Sequence, residues 1–321
     1  MRAVRVTSTT GPQALEIGEV PEPVAGPDEI LVDVEAAGVN FPDLLMTQDK
    51  YQYKPGLPFV LGSEVAGTVR EAPAGSGFAP GDRVAGWSLT GGFAETVAVR
   101  RDRAGHLPAR VSFAAGACLP LNYLTMSYAL GRRGGLEKGE TVLVHGAAGG
   151  IGTAAIQLAR AKGARVISVV STPDKAAFVR ALGSDEAVLT DGFKDAVLAL
   201  TSGAGVDVVV DPVGGDRFTD SLRCLATFGR LLVIGFTAGD IPTVRVNRLL
   251  LNNIDVRGVG WGAYTTKHPQ AYRQEWDGLV PLLESGAADP PLHRVHPLEE
   301  AAEAVASLQD RAVLGKVVLQ P

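Results

Sequence analysis

The stretch TVLVHGAAGGIG, Thr141 to Gly152, decides how this chain folds. Its first four residues form an apolar run rich in valine, the composition of a buried strand. The next eight hold four glycines and two alanines, where packing alone would favour larger side chains. Set against the dinucleotide-binding pattern G-x-G-x-x-G, the stretch places Ala147, Gly149 and Gly152, so alanine stands where the first glycine would be. In that arrangement Gly149 admits a pyrophosphate to the backbone, and Gly152 lets the following helix pack closely on the strand. The first amides of that helix, Gly150 and Ile151 among them, meet the anion with partial positive charge. A tight strand-to-helix turn with no ligand is the other reading of the same residues.

The surrounding pattern favours the first reading. From residue 141 onward, short β-branched runs at 141–144, 165–170, 187–189, 206–210, 230–234 and 254–259 alternate with helical patterns at 151–162, 174–182, 193–201 and 216–225. Such alternation specifies a doubly wound parallel sheet, and the glycine turn follows its first strand and opens its first helix. Up to about residue 120 the chain is instead dense in Gly and Pro, with short apolar runs at 30–34, 65–69 and 96–99, which predicts a mainly β unit. The uncharged stretch 111–131 is interrupted by Pro120, Asn122, Thr125 and Ser127, so it predicts a buried helix crossing between domains rather than a membrane span. Past residue 265 the pattern is helical through 299–308, and a closing apolar strand, 316–319, is free to rejoin the first domain.

Composition narrows the function. With 30 Lys and Arg against 35 Asp and Glu, the net charge is −5 without a clustered basic run, which argues against a nucleic-acid surface. Met1 to Val6 alternates like a half-buried strand and lacks the apolar core of a signal peptide. Cys118 and Cys224 have no metal-ligand spacing and sit in apolar surroundings, as small buried hydrophobes do in a reducing, cytoplasmic compartment.

At the end of the second strand of the alternating block, enzymes for NAD place a carboxylate on the ribose 2′-hydroxyl. This chain has Val169-Val170-Ser171-Thr172 and then Lys175. Ser171 and Lys175 suit a 2′-phosphate, which points to NADPH; Lys175 as an ordinary exposed helix lysine is the alternative.

With these residues in hand, the chain resembles the zinc-free NADPH:quinone oxidoreductase (zeta-crystallin-like) branch of the medium-chain dehydrogenase/reductase superfamily. The resemblance rests on Gly38-Val39-Asn40-Phe41-Pro42-Asp43, Leu61-Gly62-Ser63-Glu64-Val65-Ala66-Gly67, Pro80-Gly81-Asp82-Arg83-Val84, the glycine turn, Asp211-Pro212-Val213-Gly214-Gly215 and Gly315-Lys316-Val317-Val318-Leu319. It implies an α/β architecture: a GroES-like, mainly β catalytic domain from residues 1–122 and 266–321, a Rossmann NADPH-binding domain over 123–265, a cleft at their junction, and commonly a homodimer. Where zinc-containing relatives have a cysteine and a Gly-His-Glu, this chain has Asn40 and Gly62-Ser63-Glu64. An amide and a hydroxyl are poor zinc ligands, so no metal is expected.

The resemblance also assigns residues. It puts Asn40 near the nicotinamide and the acceptor, and Tyr51 in the active-site tyrosine region, with Tyr53 as the near alternative. Gly235 and Phe236 would wall the nicotinamide, Trp261 would stand on the opposite rim unless it is simply core, and Lys316 joins the coenzyme contacts. Among the histidines, His145 in the glycine turn is expected to be structural or to edge the cofactor, while His106, His268, His293 and His296 lie in loop-like sequence and are expected at the surface.

Hydride transfer without a metal needs an acceptor whose oxygen takes up negative charge, so the implied substrate is a small-molecule quinone or α,β-unsaturated carbonyl compound. An enoyl-thioester reductase is the alternative within enzymes, with Arg132, Arg133 and Lys138 available for a coenzyme A tail. A non-catalytic NADPH-binding protein with a structural or regulatory role is the alternative outside them.

Overall fold

The run Thr141–Val144 is the third position of a six-stranded parallel sheet, and its residues Val142, Leu143 and Val144 are fully buried. In the computed structural model, which describes residues 1–310 and 312–321, the strands of this sheet lie in the order Glu186–Leu189, Arg165–Val170, Thr141–Val144, Val206–Asp211, Leu225–Val233 and Asp255–Gly258. Every neighbouring pair is parallel. Valine, leucine and isoleucine fill them because a parallel sheet is covered on both faces by its crossover helices. The chain order reverses between Thr141–Val144 and Val206–Asp211, and the carboxyl ends of strands at such a reversal are where doubly wound sheets bind ligands.

The chain divides into two compact units, Asn122–Tyr264 around this sheet, and Met1–Leu121 with Thr265–Pro321. The second of these carries a seven-stranded sheet whose spine is Glu29–Val39. That strand pairs antiparallel with Glu64–Glu71, with Thr96–Arg100 and with the closing strand Lys316–Gln320. The register is what builds the site described below. Val317 lies opposite Val39, which brings Lys316 level with Asn40, and Gly38 lies opposite Glu64 on the other side.

Several local expectations are corrected. The stretch 111–131 is not one helix but a series of short pieces, Phe113–Gly116, Leu119–Tyr123, Leu124–Tyr128 and Ala129–Arg133, two of them π-helical turns. Pro120, which has no amide hydrogen to donate, sits in the first of those turns. The helix expected at 216–225 starts as a 3₁₀ turn, Gly215–Arg217, and runs only over Phe218–Arg223, because Gly214 and Gly215 both take positive φ before it. The following strand begins at Leu225 rather than 230, and it tolerates Phe228 in a left-handed conformation. Strand Leu292–Pro297, read as helix or loop, pairs parallel with the closing strand. It is an edge strand with five of its six residues exposed, so it lacks the apolar alternation by which strands are recognised. Among the described residues, no helix is long and apolar enough to cross a membrane.

Candidate active site

On the Rossmann-type unit, the glycine turn holds Gly146 at φ 57°, one residue before Ala147. The left-handed position of the turn is therefore met by Gly146, and Ala147, fully buried, needs no glycine. Gly149 is the N-cap of helix Gly150–Ala161 and provides no side-chain cap. A Cβ on Gly152 would stand 2.4 Å from Ala147 Cα, so helix and turn touch backbone to backbone there. A Cβ on Gly149 would meet nothing nearer than Gly146 O at 3.5 Å, so that glycine keeps the helix end open rather than filling a packing need. This division of labour fits a dinucleotide pyrophosphate at the helix start, with the amides around Gly150 and Ile151 as its donors.

At the end of strand Arg165–Val170, Lys175 Nζ donates to Ser171 Oγ at 3.2 Å, and Thr172 caps helix Pro173–Ala181 by accepting from Lys175 N. The two residues expected at the 2′-phosphate are thus in direct contact, Ser171 exposed and Lys175 half-buried. Gly235 is half-buried and Phe236 exposed after strand Leu225–Val233. Trp261 opens helix Trp261–Lys267, is buried, and packs on Tyr128 with ring centroids 5.4 Å apart.

His145 is fully buried in the glycine turn, where its Nε2 lies 2.8 Å from Ser221 Oγ and its ring meets Phe193 edge-on. Burial, and secondarily the Arg217 charge, hold its pKa down at about 3, so the imidazole is neutral. His106, His268 and His293 are exposed, but His296 is buried with Nδ1 at 2.7 Å from Glu300 Oε2, contrary to its expected surface position. It is the single inward-facing residue of the edge strand. His296, Glu300 and Glu303 have ligand atoms close enough for a metal, but Arg294 already pairs with both carboxylates, at 3.7 and 3.2 Å.

On the GroES-like unit, Asn40 precedes helix Phe41–Met46 and is buried. Its amide N donates to Asp43 Oδ2 at 2.8 Å, the reciprocal half of a capping box. Its side-chain Nδ2 donates to Glu64 Oε1 at 2.8 Å and to Gly38 O at 3.2 Å, while its Oδ1 accepts from Lys316 Nζ at 2.7 Å. Lys316 Nζ also donates to Glu64 Oε1 at 2.8 Å and Val39 O at 3.0 Å, and Glu64 Oε2 accepts from Leu121 N at 2.8 Å. Gly38 makes room for this: a Cβ there would come within 2.4 Å of Glu64 Oε1.

Lys316, expected as a coenzyme contact, is buried with all three ammonium donors engaged inside its own unit. Tyr51 is half-buried against the core, and burial, then the Asp43 carboxylate, raise its hydroxyl pKa; Tyr53 is exposed. Glu64, Asp43 and Ser63 are the residues that sequence reasoning did not assign. The signals were present: Asp43 stands three residues after Asn40, at capping-box spacing, and Glu64 is a lone charge in a buried apolar run. Asp43 is fully buried, and burial lifts its pKa to about 7 despite the Asn40 amide bond and the Lys316 charge that hold it down. Its Oδ1 and the Ser63 hydroxyl are buried and make no hydrogen bond of 3.5 Å or less, although Ser63 is near enough to help hold the Asp43 pKa down.

The donor set does not suit zinc. At the two positions where thiolate and imidazole would be needed stand an amide and a hydroxyl, and an ammonium group already neutralises Glu64. What the arrangement offers is a rigid, polarised amide beside a buried acid.

Comparison with known proteins agrees with this architecture. Residues 26–109 match the family described as alcohol dehydrogenase GroES-like domain, and residues 150–285 match the one described as zinc-binding dehydrogenase. The chain is 38% identical over 312 residues to quinone oxidoreductase-like protein 2 of Rattus norvegicus, covering 96% of this chain and 89% of that protein. Among solved structures, a "probable oxidoreductase" from Mycobacterium abscessus is 45% identical with a TM-score of 0.92, covering 100% of this chain and 99% of the other. Escherichia coli quinone oxidoreductase, solved with NADPH, is 30% identical with a TM-score of 0.92 and full coverage of both chains. With its GroES-like and Rossmann-type units and its quinone oxidoreductase relatives, the chain belongs to the medium-chain dehydrogenase/reductase superfamily.

Proposed function

We propose that this protein is an NADPH-dependent, zinc-independent reductase of quinones or α,β-unsaturated carbonyl compounds. The observation that carries the reading is the Asn40 amide, held by an ammonium and a carboxylate at a position where a metal enzyme of the superfamily needs a thiolate. NADPH supplies a hydride when bound. The overall change is acceptor plus NADPH plus a proton giving reduced acceptor plus NADP⁺, and the chain's own residues must bind, orient and stabilise charge. The open helix start at Gly149 to Gly152 would hold the pyrophosphate, Ser171 and Lys175 the 2′-phosphate, and Gly235, Phe236 and Trp261 the nicotinamide side. Asn40 would hydrogen-bond the oxygen that gains charge as hydride arrives, with Tyr51 as its partner in preference to the exposed Tyr53.

The enoyl-thioester alternative has less support. Arg133 donates to Gly258 O at 2.8 Å and the Arg132 guanidinium lies over the Tyr264 ring, so two of the three basic residues proposed for a coenzyme A tail are engaged elsewhere. A homodimer belongs to the same proposal, supported by the open outer edge of strand Asp255–Gly258 and the exposed Val246, Leu250 and Leu251 next to it in sequence. So does a reducing, cytoplasmic setting, supported by two buried free thiols.

Steady-state rates with 1,4-benzoquinone, 9,10-phenanthrenequinone and crotonyl-CoA, each with NADPH and with NADH, test the reading. The expected result is a higher kcat/KM for NADPH and for the quinones. NADPH binding without turnover of any acceptor would favour a non-catalytic role, and preference for crotonyl-CoA would favour the thioester reductase.

A further inference from the structure

Resting on the reading above, we infer that Lys316 and Glu64 are positioning residues that lock the Asn40 carboxamide in one orientation, leaving the Nδ2 hydrogen now on Gly38 O as the one an acceptor oxygen takes. A carboxamide has two nearly isosteric orientations, and only its neighbours distinguish them. Here the neighbours are of opposite kind. Lys316 Nζ, which can only donate, faces Oδ1 at 2.7 Å, and ionised Glu64, which can only accept, faces Nδ2 at 2.8 Å. A flipped amide would set its NH₂ against the ammonium and its oxygen against the carboxylate. Both contacts would then be repulsive, in a place shielded from water: Lys316 and Asn40 are only 3% and 5% exposed and Glu64 not at all.

The same charges polarise the group. The cation on the carbonyl oxygen draws electron density from the nitrogen toward that oxygen, which makes the N–H groups better donors, while the carboxylate fixes which of the two is already taken. The remaining hydrogen points at Gly38 O over 3.2 Å, longer than the 2.8 Å bond to Glu64, and is the one more readily exchanged for an oxygen carrying developing charge. Lys316 has no donor left to reach a substrate itself, so its influence passes through Asn40.

Selective ¹⁵N-asparagine labelling gives a readout on the coenzyme-free protein, because the chain has only five asparagines. The Asn40 side-chain NH₂ should show widely separated, slowly exchanging protons. In Lys316→Met these should collapse toward ordinary amide shifts and exchange faster, and Lys316→Arg should keep much of the separation. The doubly neutral Lys316→Met/Glu64→Gln removes the pair without leaving a buried lone charge, so it keeps the test open should the single variant fold poorly.

With NADPH and 1,4-benzoquinone, Lys316→Met should lower kcat roughly 10- to 100-fold with the calorimetric Kd for NADPH unchanged, and should have no further effect in an Asn40→Ala background. Unaltered Asn40 signals in Lys316→Met, or fully additive losses of kcat with Asn40→Ala, would overturn the inference; loss of NADPH affinity would make Lys316 a coenzyme ligand instead. If the wild-type protein reduces no acceptor, the functional reading fails alone and the asparagine signals still decide this one.

Discussion

Asp43 shows how one buried carboxyl couples the site to pH. Its pKa is about 7 in the folded protein against about 4 in an unfolded chain, so the native state keeps a proton that the unfolded state releases. Stability is therefore greatest below the unfolded value and is lost as pH rises through the folded one, by up to about 4 kcal/mol across the interval. Asp43→Asn preserves an acceptor for the Asn40 amide and offers its NH₂ to the Ser63 hydroxyl. Urea unfolding between pH 4 and 8 should then show a flatter profile than wild type, and a variant higher in stability at pH 8. On the other unit, the proposed role of Lys175 is to meet the 2′-phosphate with its charge. Lys175→Ala should raise the KM for NADPH roughly tenfold while leaving that for NADH within about twofold, since only the first coenzyme carries the 2′-phosphate.

At the scale of the element, Gly149 and Gly152 of the glycine turn do different work and should fail differently. Gly152→Ala forces a methyl group to within 2.4 Å of the Ala147 Cα, in backbone that cannot rotate away. The helix must move off its strand, at a cost of about 1–3 kcal/mol or more, visible as a lowered Tm without any coenzyme present. Gly149→Ala places its methyl in ordinary contact only, at φ −88°, which alanine adopts freely. It should cost about 1 kcal/mol or less in stability yet weaken NADPH binding by roughly tenfold or more, because the methyl group occupies the approach of the phosphate. Calorimetric melting paired with titration separates the two variants.

For the whole molecule, the proposed homodimer concentrates on one edge of the parallel sheet. Strand Asp255–Gly258 is bonded to Leu225–Val233 on one side only. An open edge invites a second strand, and Val246, Leu250 and Leu251, just before it in sequence, are large apolar side chains at 71%, 77% and 74% exposure. Leu250→Glu with Leu251→Glu should convert the dimer to a monomer in light scattering while leaving far-UV circular dichroism unchanged. A wild-type protein that is monomeric at micromolar concentration would remove the dimer from the proposal.

The sequence by itself determined the parallel sheet, because a buried strand, a glycine turn and an amphipathic helix are each written within a few consecutive residues and repeat along the chain. The glycine turn and the neighbouring Ser171 and Lys175 are legible for the same reason, because they lie directly after strands of that sheet. Edge strand Leu292–Pro297 was not, because its exposed residues carry no alternation, and with it went the inward-facing His296. The assignment of Lys316 and Glu64 belonged to tertiary structure alone. Lys316 lies 276 residues from Asn40 and 252 from Glu64, and only the register of strands Glu29–Val39, Glu64–Glu71 and Lys316–Gln320 brings them within hydrogen-bonding distance. Local pattern encodes which face of a strand is buried, whereas strand register depends on cross-strand packing and on the space left by Gly38, quantities that no short window of sequence contains.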